Sequence, residues 1–229
     1  MAAQVQYEPL IFDHLDQDTQ LKRSRDFLKK MQSRRTVRHF SREPVSIELI
    51  ENAVAAAGTA PSGANQQPWT FVVVSDPHVK EQIREAAEKE ERAFYGGRAS
   101  QEWLDALAKL GTDEIKTHLS DAPFLIVCFR QPFSYRMDPS STERVKVKHY
   151  YSDESMGIAV GILLSALHLS GLATLTHTPS PMRFLSEVLN RPDNERAYVV
   201  IPVGYPAGDA VVPVINKKSL SDIMVRVGD

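Results

Sequence analysis

One cysteine in 229 residues, Cys128, removes a whole set of chemistries. A lone thiol cannot close an intrachain disulfide, and no thiolate cluster exists to ligate zinc or an iron–sulfur centre, so a reducing compartment suits the chain and no metal site is expected. Cys128 sits inside the apolar run Phe124 to Phe129, where a thiol packs as a small hydrophobe rather than serving as a nucleophile. No run approaches the ~18 apolar residues of a membrane helix, and the N-terminal stretch lacks a basic segment followed by an apolar core. A soluble, cytoplasmic protein is the expectation. Net charge is scarce as well: 27 Lys and Arg against 29 Asp and Glu leave a formal -2. That balance gives no argument for nucleic acid, although a few clustered arginines can still bind an anion. Missing too are a G-x-G-x-x-G turn between strand and helix and a G-x-x-x-x-G-K-[ST] loop, so neither a Rossmann dinucleotide site nor a P-loop is supported. There is no internal repeat and no low-complexity tract.

What is present is the composition of an ordinary globule, 42% hydrophobic and 24% charged. Residues 1 to 17 have no clear period, and Thr19 to Gln32 reads as a helix with Leu21, Leu28 and Met31 on one face. Ser46 is placed to cap a second helix whose stripe is Leu49, Ile50, Ala53, Val54 and Ala57, stopping at Gly58. A Pro-, Ser-, Gly- and Asn-containing loop, Thr59 to Pro68, leads into a strand at Thr70 to Val74, and Asp76-Pro77 opens a third helix. Residues 93 to 121 form a polar excursion with a helix over Gln101 to Leu110 and a helical turn around Ile115 and Lys116, a composition suited to a mobile cover. Phe124 to Phe129 is a strand buried on both faces, and Arg130 to Lys148 reads as a surface loop. Asp153 to Ser170 is a helix apolar nearly all round, which argues for a second copy packed against it. A strand at Leu172 to Thr176, a helix capped by Ser180 and Pro181, and a strand at Tyr198 to Gly204 complete an α/β or α+β pattern.

Three groups of residues could carry chemistry. Arg34, Arg35, Thr36 and Arg38 cluster at a helix end, where guanidinium groups and a hydroxyl can chelate a phosphate or can simply complement the helix dipole in solvent. Glu91 and Tyr95 stand one helical turn apart, with Lys116 downstream, a set that any charged helix surface produces by chance. Thr174, Thr176, His177 and Thr178 crowd a strand end, where threonines are routine.

The order S-R-R-T-V-R-H-F, A-P-S-G-A-N-Q-Q-P-W-T-F-V-V-V and V-G-Y-P resembles the nitroreductase superfamily of FMN proteins over nearly the whole chain from Ser33. Within it, G-T-A-P-S-G-A, W-T-F-V-V-V, H-Y-Y and G-I-L-L-S-A-L resemble the iodotyrosine deiodinase subfamily. The resemblance implies an α+β, three-layer α/β/α fold with a mixed central sheet in an intertwined homodimer. It implies an N-terminal extension and helix over residues 1–32, an FMN-binding domain over 33–229, and a lid at about 88–121. By the same resemblance Arg34, Arg35, Thr36 and Arg38 hold the FMN phosphate and ribityl chain, and Pro61, Ser62 and Gly63 meet the flavin across the dimer interface. Thr178, with Thr176 and the backbone of His177, reaches the isoalloxazine, where a hydrogen bond to N5 favours one-electron steps over hydride transfer. The backbone N–H of Ala64 points at a substrate phenolate, while Glu91, Tyr95 and Lys116 close over the amino-acid end of the substrate. Three positions depart from the pattern: Thr36 stands for the usual Ser, His177 for a Thr, and Lys217, followed by Lys218, for an Arg at the phosphate.

The implied activity is FMN-dependent reductive dehalogenation of mono- and diiodotyrosine, and of bromotyrosine, to tyrosine and halide. The alternatives are a general NAD(P)H-dependent nitro or quinone reductase and a non-catalytic flavin-binding protein. The implied partners are a halotyrosine, a second copy of the chain, and NAD(P)H or a separate reductase as electron donor, with no nucleic acid and no membrane.

Overall fold

The computed structural model describes residues 5–138, 140 and 142–228. The chain forms two compact units, Met1–Arg34 and Arg35–Asp229. The first carries helix α1, Gln17–Ser33, which begins where the Asp16 carboxylate accepts a hydrogen bond from the Thr19 backbone N–H at 2.9 Å. None of its residues is buried, and Leu21, Phe27 and Leu28 face solvent.

The second unit opens with α2, Ile47–Gly58, and β1, Trp69–Val74. It continues through α3, Pro77–Ala93, α4, Gln101–Ala108, and α5, His118–Asp121. Next come β2, Phe124–Arg130, the hairpin strands β3, Phe133–Met137, and β4, Arg144–Lys148, and α6, Ser152–Leu169. The last elements are β5, Ala173–Thr174, α7, Arg183–Val188, β6, Arg196–Gly204, and α8, Leu220–Ile223. The main sheet runs β1-β2-β6-β5 with antiparallel ladders, and a parallel bridge, Thr36 to Thr174, extends it beyond β5.

Strand β2 shows why three layers form. Its alternate residues Phe124, Ile126 and Cys128 pack with Ile50 and Ala53 of α2 and Met156, Leu163 and Leu167 of α6. The intervening Leu125, Val127 and Phe129 pack with Ile83 and Ala87 of α3, Leu119 of α5 and Leu185 of α7. A strand apolar from Phe124 to Phe129 therefore has both faces covered, and full burial of each large side chain is worth about 1.5–3 kcal/mol. Cys128 is fully buried in this layer, and burial pushes its thiol well above the usual range, in keeping with a packing role. Among the described residues, no helix is long and apolar enough to cross a membrane.

Four local expectations change. Arg130 to Lys148 contains a hairpin rather than a bare loop, with Phe133 opposite Lys148 and Met137 opposite Arg144. Its outer strand alternates cations with valines, and Arg144 and Lys146 lie 4.5 and 4.4 Å from the ring centroids of Tyr135 and Phe133, so the cations themselves help to hold the pair together. The helical turn expected around Ile115 and Lys116 begins at His118 instead, because the Lys116 backbone N–H is engaged by Glu88 Oε1 at 2.9 Å. The strand expected over Leu172 to Thr176 is a two-residue ladder followed by a bridge at His177. Pro202 on the facing strand has no N–H to continue the ladder. Helix α7 starts at Arg183, after Ser180 and Pro181, and the Ser180 carbonyl accepts from Arg98. Ser46 does stand at the N-cap of α2, but its side chain makes no capping bond.

Candidate active site

The bridge between Thr36 and Thr174, with the Val37 N–H donating to the Thr174 carbonyl at 3.1 Å, lays the basic segment along β5. The chain beyond β5 carries Thr176, His177 and Thr178 toward the same edge. Arg38 lines two cavities, one with Thr36, Lys109 and Pro213, the other with Thr176, His177 and Thr178. The neighbouring Arg35 donates through Nη2 to the Pro213 carbonyl, while its Nε is buried without a hydrogen-bond partner. A buried, unsatisfied donor on a cation costs on the order of 1–3 kcal/mol or more, and an anion would remove that cost. The set Arg35, Thr36 and Arg38 therefore fits a phosphate.

Like Arg35, the remaining sequence-derived cofactor residues are not among the lining of these two cavities. Arg34 belongs to the first unit, where its N–H caps the Met31 carbonyl, and Lys217 is exposed. Pro61, Ser62, Gly63 and Ala64 line neither cavity. Their loop is nonetheless under strain: Ala64, Asn65 and Gln67 have φ of 51°, 53° and 47°, a left-handed conformation that costs non-glycine residues about 1 kcal/mol or more each. Ser62 Oγ accepting from the Gln67 N–H at 2.9 Å and Gln66 Oε1 accepting from the Tyr150 N–H at 3.1 Å hold it there. At Gly63 a Cβ would lie 3.0 Å from the Tyr150 carbonyl oxygen, a close backbone approach that favours glycine.

The residues that the resemblance assigns to a lid do come together. Helix α3 ends in a wide turn in which the Ala99 N–H donates to the Phe94 carbonyl at 3.0 Å, and Gly97 at φ 138° turns the chain away. Glu91, Tyr95 and Lys116 thereby line one cavity of ≈ 280 Å³ together with Thr176, His177 and Thr178. Lys116 Nζ lies 3.3 Å from Glu91 Oε2, with the two side chains only 5% and 13% exposed, so this is a sequestered ion pair rather than a surface one. Its other contacts are Thr112 Oγ1 at 3.4 Å and the Asp113 carbonyl. Tyr95 donates its hydroxyl to the Thr112 carbonyl at 3.1 Å. Glu88 binds both the Lys116 backbone and Arg84, each at 2.9 Å, and so ties the lid segment to α3.

The electrostatics suit recognition of charge. Burial alone would raise the Glu91 carboxyl, but the hydrogen bond from His177 and the Lys116 ammonium outweigh it and hold the group below its usual range, ionised. Burial keeps the Tyr95 phenol above its ordinary value despite the bond to Thr112, so it remains a neutral donor. The Glu91 carboxylate and Lys116 ammonium are thus opposite charges in a half-closed cavity, and a zwitterion offers each of them a partner.

Several cavity residues were not legible from the sequence. Trp103 and Leu107, on the apolar side of α4, lie one turn apart and roof the cavity with Phe94; their helical spacing was the available signal. His118 gave none, because only the fold places it 3.3 Å from His177.

Comparison with known proteins identifies the relatives of this chain. The nitroreductase family matches residues 31–205. The chain is 51% identical over 223 residues to an iodotyrosine deiodinase of Haliscomenobacter hydrossis, covering 97% of this chain and 95% of that one. It is 43% identical over 226 residues to the human iodotyrosine deiodinase 1, covering 97% and 76% respectively. The crystal structure of an oxidised iodotyrosine deiodinase bound to FMN and 3-iodo-L-tyrosine superposes with a TM-score of 0.73 at 32% identity, over 89% of this chain and 99% of that one. This chain belongs to the nitroreductase family and, within it, to the iodotyrosine deiodinases.

Proposed function

We propose that the protein is an FMN-dependent reductive dehalogenase of halogenated L-tyrosines, iodotyrosines first and bromotyrosine as well. The observation that carries this reading is the sequestered Glu91–Lys116 pair beside Tyr95, in a cavity that Thr176 and Thr178 also line. The relative solved with FMN and 3-iodo-L-tyrosine supports both the cofactor and the substrate class. In the overall reaction the carbon–halogen bond breaks, halide leaves with its electron pair, and two electrons and one proton make the new C–H bond. FMN, when bound, supplies the electrons. Arg35, Thr36 and Arg38 would hold its phosphate, with Lys217 as a further ligand, and the hydroxyls of Thr176 and Thr178 and the backbone of His177 would line its ring.

The chain's own residues then do the recognition. An entering zwitterion exchanges the internal Glu91–Lys116 pair for two pairs, substrate ammonium on Glu91 and substrate carboxylate on Lys116 and Tyr95. A halophenol lacks both charges and leaves the internal pair closed. The Ala64 N–H, on a loop that lines neither cavity of its own chain, would hold the phenolate from a second copy, with Pro61, Ser62 and Gly63 beside the flavin. This division of the site is the reason we assign a homodimer, with NAD(P)H or a separate reductase delivering electrons.

Diiodotyrosine should quench the flavin fluorescence of the purified protein strongly and saturably. Glu91→Gln should lower kcat/KM for iodotyrosine, measured with chemically reduced flavin, by about 30-fold or more, as expected when one partner of a sequestered pair worth about 2–5 kcal/mol is lost, and should barely alter the value for iodophenol. Equal effects on both substrates, or none on either, would leave a general nitro or quinone reductase as the better reading.

A further inference from the structure

His177 and His118 meet in the cavity wall, and the recognition scheme above gives their side chains no task. His177 Nε2 lies 3.3 Å from Glu91 Oε1, and His177 Nδ1 lies 3.3 Å from His118 Nε2. The rings cross edge to face at 5.2 Å, and both residues are buried. Chemistry dictates where the protons go. A carboxylate only accepts, so His177 carries its proton on Nε2; a neutral imidazole has one N–H, so its Nδ1 accepts, and His118 must donate from Nε2. Both rings are neutral because burial lowers each, helped by the Lys116 and Arg38 cations, by Arg84 at His118, and at His118 by His177 itself; the Glu91 carboxylate only partly opposes this at His177. The result is a one-way chain of hydrogen bonds from His118 through His177 to Glu91.

The two oxygens of Glu91 therefore differ in kind. Oε2 is held by Lys116, the cation that a substrate carboxylate would draw away, while Oε1 is held by His177, a neutral donor with no such competitor. Resting on the halotyrosine reading, we infer that His177 is a positioning residue for substrate specificity: it anchors Glu91 Oε1 while Oε2 exchanges Lys116 for the substrate ammonium, with His118 fixing its tautomer. Without this anchor the carboxylate follows Lys116, and the aimed negative charge that separates an amino acid from a plain halophenol is lost.

The experiment uses the FMN-loaded protein and the ratio of dissociation constants for 3-iodo-L-tyrosine and 2-iodophenol, measured by calorimetry. His177→Leu, which has no donor, should reduce the preference for the amino acid by about tenfold, the size expected for one hydrogen bond to a charged group. His177→Gln, whose amide N–H reaches about as far as the imidazole Nε2, should restore most of it. Equal losses in Leu and Gln, or no loss in either, would overturn the inference. Glu91→Gln run in parallel separates the two levels: loss there with full preference in His177→Leu sinks this inference alone, whereas preference kept in Glu91→Gln sinks the lid reading and this inference with it. Should His177→Leu fail to fold, nitrogen NMR of histidine-labelled wild type decides independently. Two neutral rings protonated at Nε2 are expected, and a His177 protonated at Nδ1 would overturn the scheme.

Discussion

Arg35 illustrates how a single side chain can declare a ligand. A guanidinium Nε buried without a partner makes little sense as decoration, because each such donor lowers stability unless something accepts from it. Replacing Arg35 with Ala should weaken FMN by about 10- to 100-fold, the equivalent of one charge-assisted contact of about 1.5–3 kcal/mol. Flavin absorbance per chain after dialysis reads this directly, and full occupancy in the variant would remove Arg35 from the cofactor site. The sequence displayed Arg35, Glu91, Tyr95 and Lys116 as residue types. It could not display that the Lys116 ammonium already bonds Glu91, Thr112 and Asp113, since those partners lie 3 to 25 positions away and only the fold closes the distances.

Among the elements, β2 and α6 teach opposite lessons. The apolar run of β2 announced a strand covered on both faces, and its alternate residues do enter two separate cores. The equally apolar α6 buries Met156, Ala159, Leu163 and Leu167 against α2 and the sheet, yet leaves Ile158 and Leu169 exposed at 47% and 52%. An apolar face of this kind on an otherwise well-packed helix is where a second copy would pack. Sedimentation should therefore find a dimer at micromolar concentration, and Ile158→Glu should raise its dissociation constant by at least about tenfold, since burying an isoleucine is worth about 1.5–3 kcal/mol. A wild-type monomer that retains FMN would sink the dimer and, with it, the assignment of Ala64 to a neighbouring copy's site. The β3–β4 hairpin was hidden because its outer residues are Arg144, Lys146 and Lys148. Strand propensity scales disfavour lysine, and the aromatic partners that compensate are on the facing strand.

For the molecule as a whole, the buried histidines set the response to acid. Burial holds His118 down to about 2 from the usual 6.5 and lowers His177 as well. Below about pH 6.5 the unfolded chain binds these protons and the folded chain does not, so stability falls as pH falls, by up to about 1.4 kcal/mol per pH unit for each ring. Glu91, depressed from 4.5, adds a second loss that begins as pH falls below 4.5 and is complete below its folded value. Denaturant unfolding between pH 7.5 and 5 should show the decline, and His118→Gln should flatten it; a flat wild-type profile would mean that the rings are charged in the fold. The sequence by itself determined the alternation of strands with helices, the burial of β2 on both faces, the family, and the residue types Arg35, Thr36, Arg38, Glu91, Tyr95 and Lys116, because periodicity and residue identity are local properties. The tertiary structure alone decided that Thr36 bridges to Thr174, that the Pro61–Ala64 loop lines neither cavity, and that His118, His177, Glu91 and Lys116 form one connected cluster. Those facts depend on which distant segments share a sheet edge or a cavity wall, and the free energy that chooses them is summed over the whole core rather than written at any one position.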